Sequence, residues 1–549
     1  MERSSPPTSC FCLVVVVTML RVFMTSCGSS PPAGASGSPP AADVATDVVT
    51  YHNDVARTGQ NLAEKTLTPS NVNSSSFGRL FTMSVDGVID AEPLYLSGLS
   101  LPGQGAHNVL YTVTENDSVY AFDADHGTKL WQVSLLQPGE TPSGNFGCGQ
   151  ISPQIGITST PVIDPSSGPH GTIYVVAMSV KSSTYFQRIH ALDVTTGQEQ
   201  FGGPVTIQAK YPGQGDNSVN GSVIFDPKQY AERQGLLLLN HVVYTGWTSH
   251  CDFRPYTGWL IGYSESTLAQ TSVLNLTPNG HEGSIWQSGA GMASDGSNLY
   301  LLDANGTFDA TLNSSGFPQN GDFGQAFLKV STVNNQLAVA DYFEMYNGIS
   351  ESDADDDLGS GGALLLPAMT DSTGTTRYLA IGAGKDSNIY IVDRTNLGKF
   401  NPGGNQIYQE IDNALPGGMY AMPAYFGSSV YFGAQGNNLQ QFSLSQAKLS
   451  TQPVSKSSAS FSYPGTTPSI SANASTNVIV WAIEHSDPND VLHAYDGTNL
   501  ATELYNSTQA GGNRDQFGQA SHFGTPMIVN GKVYVGTTTN VTAFGLLGN

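Results

Sequence analysis

The densest group of residues able to do chemistry in this sequence is an acidic loop beyond its midpoint. Asp353, Asp355 and Asp357 stand at alternate positions, and Gly359 follows them. Carboxylates that alternate on a glycine-ended loop can direct several oxygens at one Ca²⁺ ion. The loop differs from a standard calcium-binding loop, because Leu364 stands where a bidentate glutamate is usual. Two interpretations stay open: Asp353, Asp355 and Asp357 bind calcium, or the loop is a solvated acidic surface.

A second candidate site consists of residues that stand just before apolar runs in different parts of the chain. Their side chains are acids, amides and aromatic rings, which suit a polar ligand such as a sugar. These candidate ligand-binding residues are Asp90, Glu92, Trp286, Gln287, Asp357, Tyr420 and His522. Within this group His522 and Asp90 are the candidate catalytic pair, since a histidine beside an acid can act as a general base.

The elements that must position these residues belong to one pattern that recurs about eight times. Each copy is an apolar strand, a turn, a second strand that often ends near Ala-x-Asp, and a turn before an aromatic residue. The clearest copies cover residues 109–131 and 171–201. A unit of about four strands cannot bury its own faces, so it must stack on its neighbours, and a radial arrangement leaves few exposed edges. The sequence therefore predicts an all-β, eight-bladed β-propeller of four-stranded antiparallel blades over residues 48–549.

The same pattern predicts where each blade begins and how the last blade is completed. The innermost strands are expected to begin near Asp90, Thr158, Asn220, Gln287, Asp357, Tyr420, Thr466 and His522. The last copy ends too early to supply a fourth strand. We therefore expect residues 77–85, FGRLFTMSV, to close the propeller as the outermost strand of the eighth blade.

The best copy carries a motif that resembles a known family. Ala121, Asp123, Gly127 and Trp131 have the spacing of the tryptophan-docking motif of the quinoprotein (PQQ-dehydrogenase-like) propellers. The resemblance implies eight blades and, in an enzyme of this type, PQQ held with Ca²⁺. The sequence has no adjacent cysteine pair, which many PQQ alcohol dehydrogenases carry and soluble sugar-oxidising quinoproteins lack.

The beginning of the chain predicts export. Residues 11–20 form an apolar run too short to span a bilayer, preceded by Arg3 and followed by a lipobox-like Met-Thr-Ser-Cys ending at Cys27. We interpret residues 1–26 as a signal peptide, Cys27 as the lipidated residue and residues 27–47 as a Gly/Ser/Pro/Ala tether. This predicts a membrane-anchored lipoprotein of the bacterial cell envelope, with plain secretion as the alternative.

The net charge of the chain limits the classes of molecule that it is expected to bind. The chain has 44 acidic against 21 basic residues and a net charge of −23, which argues against nucleic acid and against membrane contact except through the lipid anchor. We expect a monomer whose partner is a polar small molecule, a glycan or an envelope protein.

Cys148 and Cys251 fall in loops on the same face of adjacent blades, so we expect them to form a disulfide.

One more polar group precedes the first blade. Tyr51, His52, Asn53, Asp54 and Arg57 either form a functional lip or tie the N-terminal segment to the propeller.

Three functions are compatible with these observations. The first is a binding or scaffold module of the cell envelope. The second is a PQQ- and calcium-dependent dehydrogenase of alcohols or sugars, which the family resemblance implies. The third is a carbohydrate-cleaving enzyme that uses His522 and Asp90.

Overall fold

A computed structural model describes residues 47–548 of the chain, and these residues form an all-β, eight-bladed propeller. The predicted signal peptide, the lipidation site Cys27 and almost all of the tether lie outside the described residues. No helix within residues 47–548 is long and apolar enough to cross a membrane.

The first four blades are four- to six-stranded sheets of consecutive strands. Blade 1 comprises Leu94–Leu101, Gly105–Val113, Ser118–Asp123 and Lys129–Ser134. Blade 2 comprises Val162–Asp164, Thr172–Lys181, Thr184–Asp193 and Val205–Thr206, extended by Thr141–Gly144 and Gln154–Ile155. Blade 3 comprises Tyr230–Glu232, Leu237–Leu239, Val242–Ser249, Trp259–Ser264 and Gln270–Asn275. Blade 4 comprises Ala293–Ser294, Asn298–Leu302, Phe327–Ser331 and Ala338–Glu344, with Lys399–Phe400 added in parallel.

The remaining blades share the same plan, except that blades 7 and 8 take strands from the N-terminal part of the chain. Blade 5 comprises Leu364–Leu365, Leu379–Gly382, Ile389–Asp393 and Gln409–Ile411. Blade 6 comprises Ala424–Phe426, Ser429–Phe432, Asn437–Ser445, Lys448–Leu449 and Ser455–Phe461. Blade 7 comprises Gln60–Asn61, Ser469–Asn473, Thr476–Glu484, Val491–Asp496 and Glu503–Asn506. Blade 8 comprises Met527–Val529, Lys532–Gly536, Asn540–Leu546 and Phe77–Ser84. Outside the blades, the described residues form two small sheets and one α-helix: Lys210–Pro212 with Ser218–Val219 and Ser222–Ile224, Met369–Thr370 with Thr376–Arg377, and Gly348–Asp353.

The docking motif joins neighbouring blades, as the resemblance implied. Asp123 Oδ1 accepts the backbone N–H groups of Asp125 and His126, which shapes the turn before Trp131. The indole N–H of Trp131 donates to the carbonyl of Val194 in the next blade at 3.1 Å. A Cβ atom at Gly197 of that blade would lie 2.9 Å from the Trp131 ring, so glycine is needed for the contact.

The pairing predicted for the N-terminal strand is confirmed. Phe77–Ser84 runs antiparallel to Asn540–Leu546 from Phe77 opposite Leu546 to Ser84 opposite Asn540. Blade 8 also contacts blade 1 directly, because the Tyr534 hydroxyl donates to the carbonyl of Ala124.

The innermost strand of blade 3 was predicted wrongly. Asn220 does not begin it, because residues 210–224 form a separate three-stranded sheet and Asn220 lies in its turn. The inner position is taken by Tyr230–Glu232 and Leu237–Leu239 instead. As a consequence, Arg233 lies between the two inner segments of this blade.

Residues 48–64, here called the plug segment, line the inner strands of all eight blades. Tyr51, His52 and Arg57 are buried, with at most 4% of each residue exposed. The segment hydrogen-bonds in turn to Tyr95, Ile163, Leu236, Ser294, Leu365, Tyr425, Ile470 and Ile528, one residue in or directly beside the inner strand of each blade. Of the two interpretations of this polar group, the structure therefore supports the tie to the propeller.

Candidate functional site

The loop of residues 145–153, here called the lid loop, separates two cavities at the end of the propeller where the inner strands begin. Cys148 is disulfide-bonded to Cys251 of blade 3, with Cα atoms 5.6 Å apart, as predicted. Farther along the loop, Gln150 Oε1 accepts a 2.7 Å hydrogen bond from the Tyr463 hydroxyl, which lies between blades 6 and 7. The loop is therefore fixed at both sides, and Gln150 and Ile151 contribute to the walls of both cavities.

The first cavity has a volume of about 200 Å³ and lies beside blades 3 to 5. The indole of Trp286 and the Cys148–Cys251 disulfide both line it. Its polar lining consists of hydroxyl, amide, imidazole and charged side chains, namely Gln150, Thr248, Ser249, His250, Asp252, Ser284, Asp355, Asp357 and Lys385.

Three of the predicted ligand-binding residues meet in one aromatic cluster. The rings of Trp286 and Tyr420 have centroids 6.1 Å apart. Tyr463 joins Tyr420 at 5.3 Å and His522 at 6.3 Å. Phe523 lies 5.8 Å from Trp286 and completes the group.

Lys385 neutralises two carboxylates of the acidic loop. Its Nζ lies 2.8 Å from Asp355 Oδ1 and 3.1 Å from Asp357 Oδ2. Asp357 is buried, and this burial raises its pKa to about 7 even though Lys385 acts in the opposite direction. A carboxyl group with that pKa changes its protonation state near neutral pH, as a general base must.

The three aspartates proposed as calcium ligands do not form a metal group. Asp353 lines a separate cavity beside His281, away from Asp355 and Asp357. Within residues 47–548, no group of three or more His, Cys, Asp and Glu side chains has the geometry to hold a metal ion. An ammonium group takes the position between Asp355 and Asp357 that the prediction gave to calcium.

The second cavity has a volume of about 320 Å³ and lies beside blades 7, 8 and 1. Asp90 and His522, the predicted catalytic pair, both line it. Asp90 lies against Glu115, and burial raises the pKa of both carboxyl groups, that of Glu115 to about 9. Arg233 lowers both values, and burial also keeps the pKa of His522 below its usual range.

The side chains of Glu92 and Gln287 hydrogen-bond to the backbone and line neither of the two cavities. Glu92 Oε2 accepts the backbone N–H of His52 in the plug segment at 2.7 Å. Gln287 Oε1 accepts the backbone N–H of Leu302 at 2.7 Å, and the residue is fully buried.

Several functional candidates were missed at the sequence level. Arg233 is 1% exposed, and its Nε and Nη2 atoms have no hydrogen-bond partner among the described residues. A signal existed for it, because Glu232, Arg233 and Gln234 are three consecutive polar residues directly before the apolar run at 236–239. Lys385 lies in the turn between the second and third strands of blade 5, within a copy of the repeated pattern, and Tyr463 lies in the loop between blades 6 and 7. The pattern describes strands and turns, so it did not indicate the partners of either side chain.

Comparison with known proteins supports the fold. No protein-family model and no curated protein matches this chain. A quinohemoprotein alcohol dehydrogenase from Pseudomonas putida HK5 superimposes with a TM-score of 0.59 at 14% identity, over 92% of this chain and 81% of that one. A quinohemoprotein alcohol dehydrogenase from Comamonas testosteroni gives a TM-score of 0.57 at 14% identity, over 91% and 80% of the two chains. The chain thus has the fold of the PQQ-dependent dehydrogenase propellers, as the docking motif indicated.

Proposed function

We propose that this protein is an oxidoreductase of the quinoprotein type, which oxidises an alcohol or a sugar with PQQ bound in the first cavity. One observation supports this most directly: Trp286, the Cys148–Cys251 disulfide and the Asp357–Lys385 pair all line that cavity. The shared fold with two quinohemoprotein alcohol dehydrogenases adds to it. The haem of those proteins is not part of the proposal, because the sequence has no Cys-x-x-Cys-His motif.

The first cavity offers a flat quinone an indole face and several hydroxyl donors. The indole of Trp286 is suited to contact the face of a planar ring system. Thr248, Ser249 and Ser284 offer hydroxyl groups to the carboxylates of PQQ, and Lys385 offers an ammonium group that Asp355 and Asp357 already share. The lining holds three carboxylates, with Asp252 as the third, so its charge opposes a polyanion and the fit rests on the indole and the hydroxyl groups. Calcium is not assigned to any residue, because Asp353, Asp355 and Asp357 do not form a metal group.

Asp357 is the residue of this chain best suited to move a proton. When bound, PQQ would supply the two-electron oxidant. Asp357 would accept the proton of the substrate hydroxyl, since its pKa of about 7 leaves much of it ionised near neutral pH. Lys385, 3.1 Å from Asp357 Oδ2, would stabilise the ionised carboxylate and hold it in place.

Reconstitution tests the proposal. The purified chain is mixed with PQQ, with and without Ca²⁺, and binding is followed by quenching of tryptophan fluorescence and by the absorbance of the bound quinone. Dye-linked oxidation is then measured with primary alcohols and with aldose sugars. We expect saturable binding in the wild type and its loss in Trp286→Ala, because that substitution removes one wall of the cavity.

Two aspartates of the same loop supply the matched variants. Asp357→Asn should still bind PQQ but lose at least about a hundredfold of the dye-linked rate, as expected for removal of a general base. Asp353→Asn should keep the wild-type rate, because Asp353 lines another cavity. If the wild type binds no PQQ under either condition, the proposal is wrong and the binding-module hypothesis is preferred.

A further inference from the structure

The second cavity contains buried polar atoms that the protein leaves without partners. Asp90 and Ser521 both line it, and each is only 7% exposed. Oδ2 of Asp90 and Oγ of Ser521 make no hydrogen bond of normal geometry among the described residues, although Ser521 and Glu115 lie close enough to Asp90 to oppose the effect of burial on its pKa. A buried polar atom without a partner is destabilising, so such atoms in a cavity wall indicate a ligand or ordered water there.

Two histidines complete the polar wall. His485 Nδ1 lies 3.0 Å from Asp490 Oδ2, and the Asp490 carboxylate also accepts the backbone N–H groups of Ser486 and Ala520. His485 is therefore held in a fixed orientation. The ring of His522 lies 6.1 Å from that of His485, and no hydrogen bond to its nitrogens exists within residues 47–548. These nitrogens can donate to or accept from a bound hydroxyl group.

The charge behind this wall is close to balanced. Asp90 and Glu115 interact closely enough to share a proton, because burial raises the pKa of both and their carboxyl groups repel each other when ionised. Arg233, which acts on both of them, offsets the remaining negative charge. Within this group neither an anion nor a cation would therefore find a strong, uncompensated countercharge. Of the other two carboxylates in the lining, Asp490 is bound by His485 and by two backbone N–H groups, and Asp487 is exposed to solvent.

We propose that the second cavity is a binding site for a neutral, hydroxyl-rich ligand of monosaccharide size, held by Asp90, Ser521 and His522. Each of these side chains can serve a hydroxyl group as donor or acceptor, which is the chemistry that sugars and cyclic polyols require. The site is separate from the one proposed for the quinone, because the lid loop lies between the two cavities. It does not depend on quinone binding.

Three probes of similar shape test the ligand class. D-Glucose, D-glucosamine and D-glucuronate differ mainly in charge, and myo-inositol and D-galactose extend the neutral set. Binding to the full chain without PQQ is measured by saturation-transfer difference NMR and isothermal titration calorimetry. We expect at least one neutral probe to bind saturably, with a dissociation constant in the millimolar range, and the charged probes to bind more weakly.

Variants test the position of the ligand. Ser521→Ala and His522→Ala should each lower the affinity for the neutral probe by about two- to tenfold, which is the effect of losing one hydrogen bond. Ser521→Ala removes only an unpartnered hydroxyl group, so it is expected to fold normally, which circular dichroism and the melting temperature check. Ser284→Ala, which removes a hydroxyl group of the first cavity outside the aromatic cluster, should leave the affinity within about twofold.

Three results would overturn the proposal. The first is that none of the three neutral probes binds. The second is that glucosamine or glucuronate binds more tightly than every neutral probe, which would show a charged ligand class. The third is that Ser284→Ala weakens binding while Ser521→Ala and His522→Ala do not, which would place the sugar in the first cavity.

Discussion

The hydroxyl group of Tyr463 donates a 2.7 Å hydrogen bond to Gln150 although the two residues are 313 positions apart in the chain. This bond and the Cys148–Cys251 disulfide hold the lid loop from two sides of the propeller. Since Gln150 lines both cavities, the position of the loop determines the shape of both candidate sites.

Tyr463→Phe should loosen the lid loop without unfolding the protein. The variant removes only the hydroxyl group, so we expect the free energy of unfolding to fall by no more than about 1 kcal/mol and the melting temperature to change little. Hydrogen exchange of residues 145–153 should become faster, while exchange in the blade strands stays the same. Tyr346→Phe is the matched control, because Tyr346 is 54% exposed. Equal exchange of the loop in both variants would show that the hydrogen bond does not restrain it.

The Cys148–Cys251 disulfide should contribute substantially to stability. It links residues 103 positions apart, for which the chain-entropy model gives about 4–5 kcal/mol. We expect the Cys148→Ser, Cys251→Ser double variant to unfold at lower denaturant concentration than the wild type, and a reductant to lower only the wild-type midpoint. An unchanged midpoint in the double variant would contradict this prediction.

The sequence predicted the repeated blades. It also predicted the contacts between neighbouring blades that follow from their order around the propeller. Eight copies of one pattern indicated the blades, the motif ending at Trp131 indicated their docking, and the shortage of strands at the C-terminus indicated the pairing of Phe77–Ser84. Cysteine positions on adjacent blades indicated the disulfide.

The candidate site was only partly predictable, because it depends on loops that differ from blade to blade. Trp286, Tyr420 and His522 do meet, but Tyr463, which joins Tyr420 to His522, comes from a loop without a repeated pattern. Lys385 lies in a turn of the repeat, but its partners Asp355 and Asp357 come from a loop that has no counterpart in the other blades. Residues 210–224 form a separate sheet before blade 3, so the start of that blade was predicted too early and Arg233 was not recognised as a residue of its inner segment. No sequence motif predicts the path of the plug segment, because backbone hydrogen bonds, which any residue can make, largely hold it in place.

Glu92 should make stability depend on pH. Burial raises its pKa from 4.5 to about 8, opposed by the hydrogen bond from His52 and by Arg57. The folded state therefore keeps a proton that the unfolded state loses as the pH rises above about 4.5. We expect the contribution of Glu92 to the free energy of unfolding to fall as the pH increases from about 4.5 to about 8, by an amount on the order of 3–5 kcal/mol, and to stay constant above that range.

Glu92→Gln tests this pH dependence. The amide oxygen can still accept the backbone N–H of His52, but the side chain no longer ionises. Urea unfolding at a series of pH values should show similar stability for the two proteins near pH 4 and a more stable variant near pH 9. Two parallel stability curves would mean that Glu92 does not titrate in this range.

Arg57 should be the most costly residue of the plug segment to replace. Its guanidinium is fully buried and donates to the carbonyls of Met292 and Tyr51 and to the hydroxyl of Thr50, at 2.7–2.8 Å. Arg57→Met fills most of the space but leaves these acceptors unpaired, so we expect a loss of roughly 3–5 kcal/mol in the free energy of unfolding. Arg79→Met is the matched control, because Arg79 is exposed and its side chain donates to one carbonyl only, that of Gln516. The control should lose less than about 1 kcal/mol. Equal losses in urea unfolding of the two variants would show that the plug segment adds nothing to the stability of the eight blades.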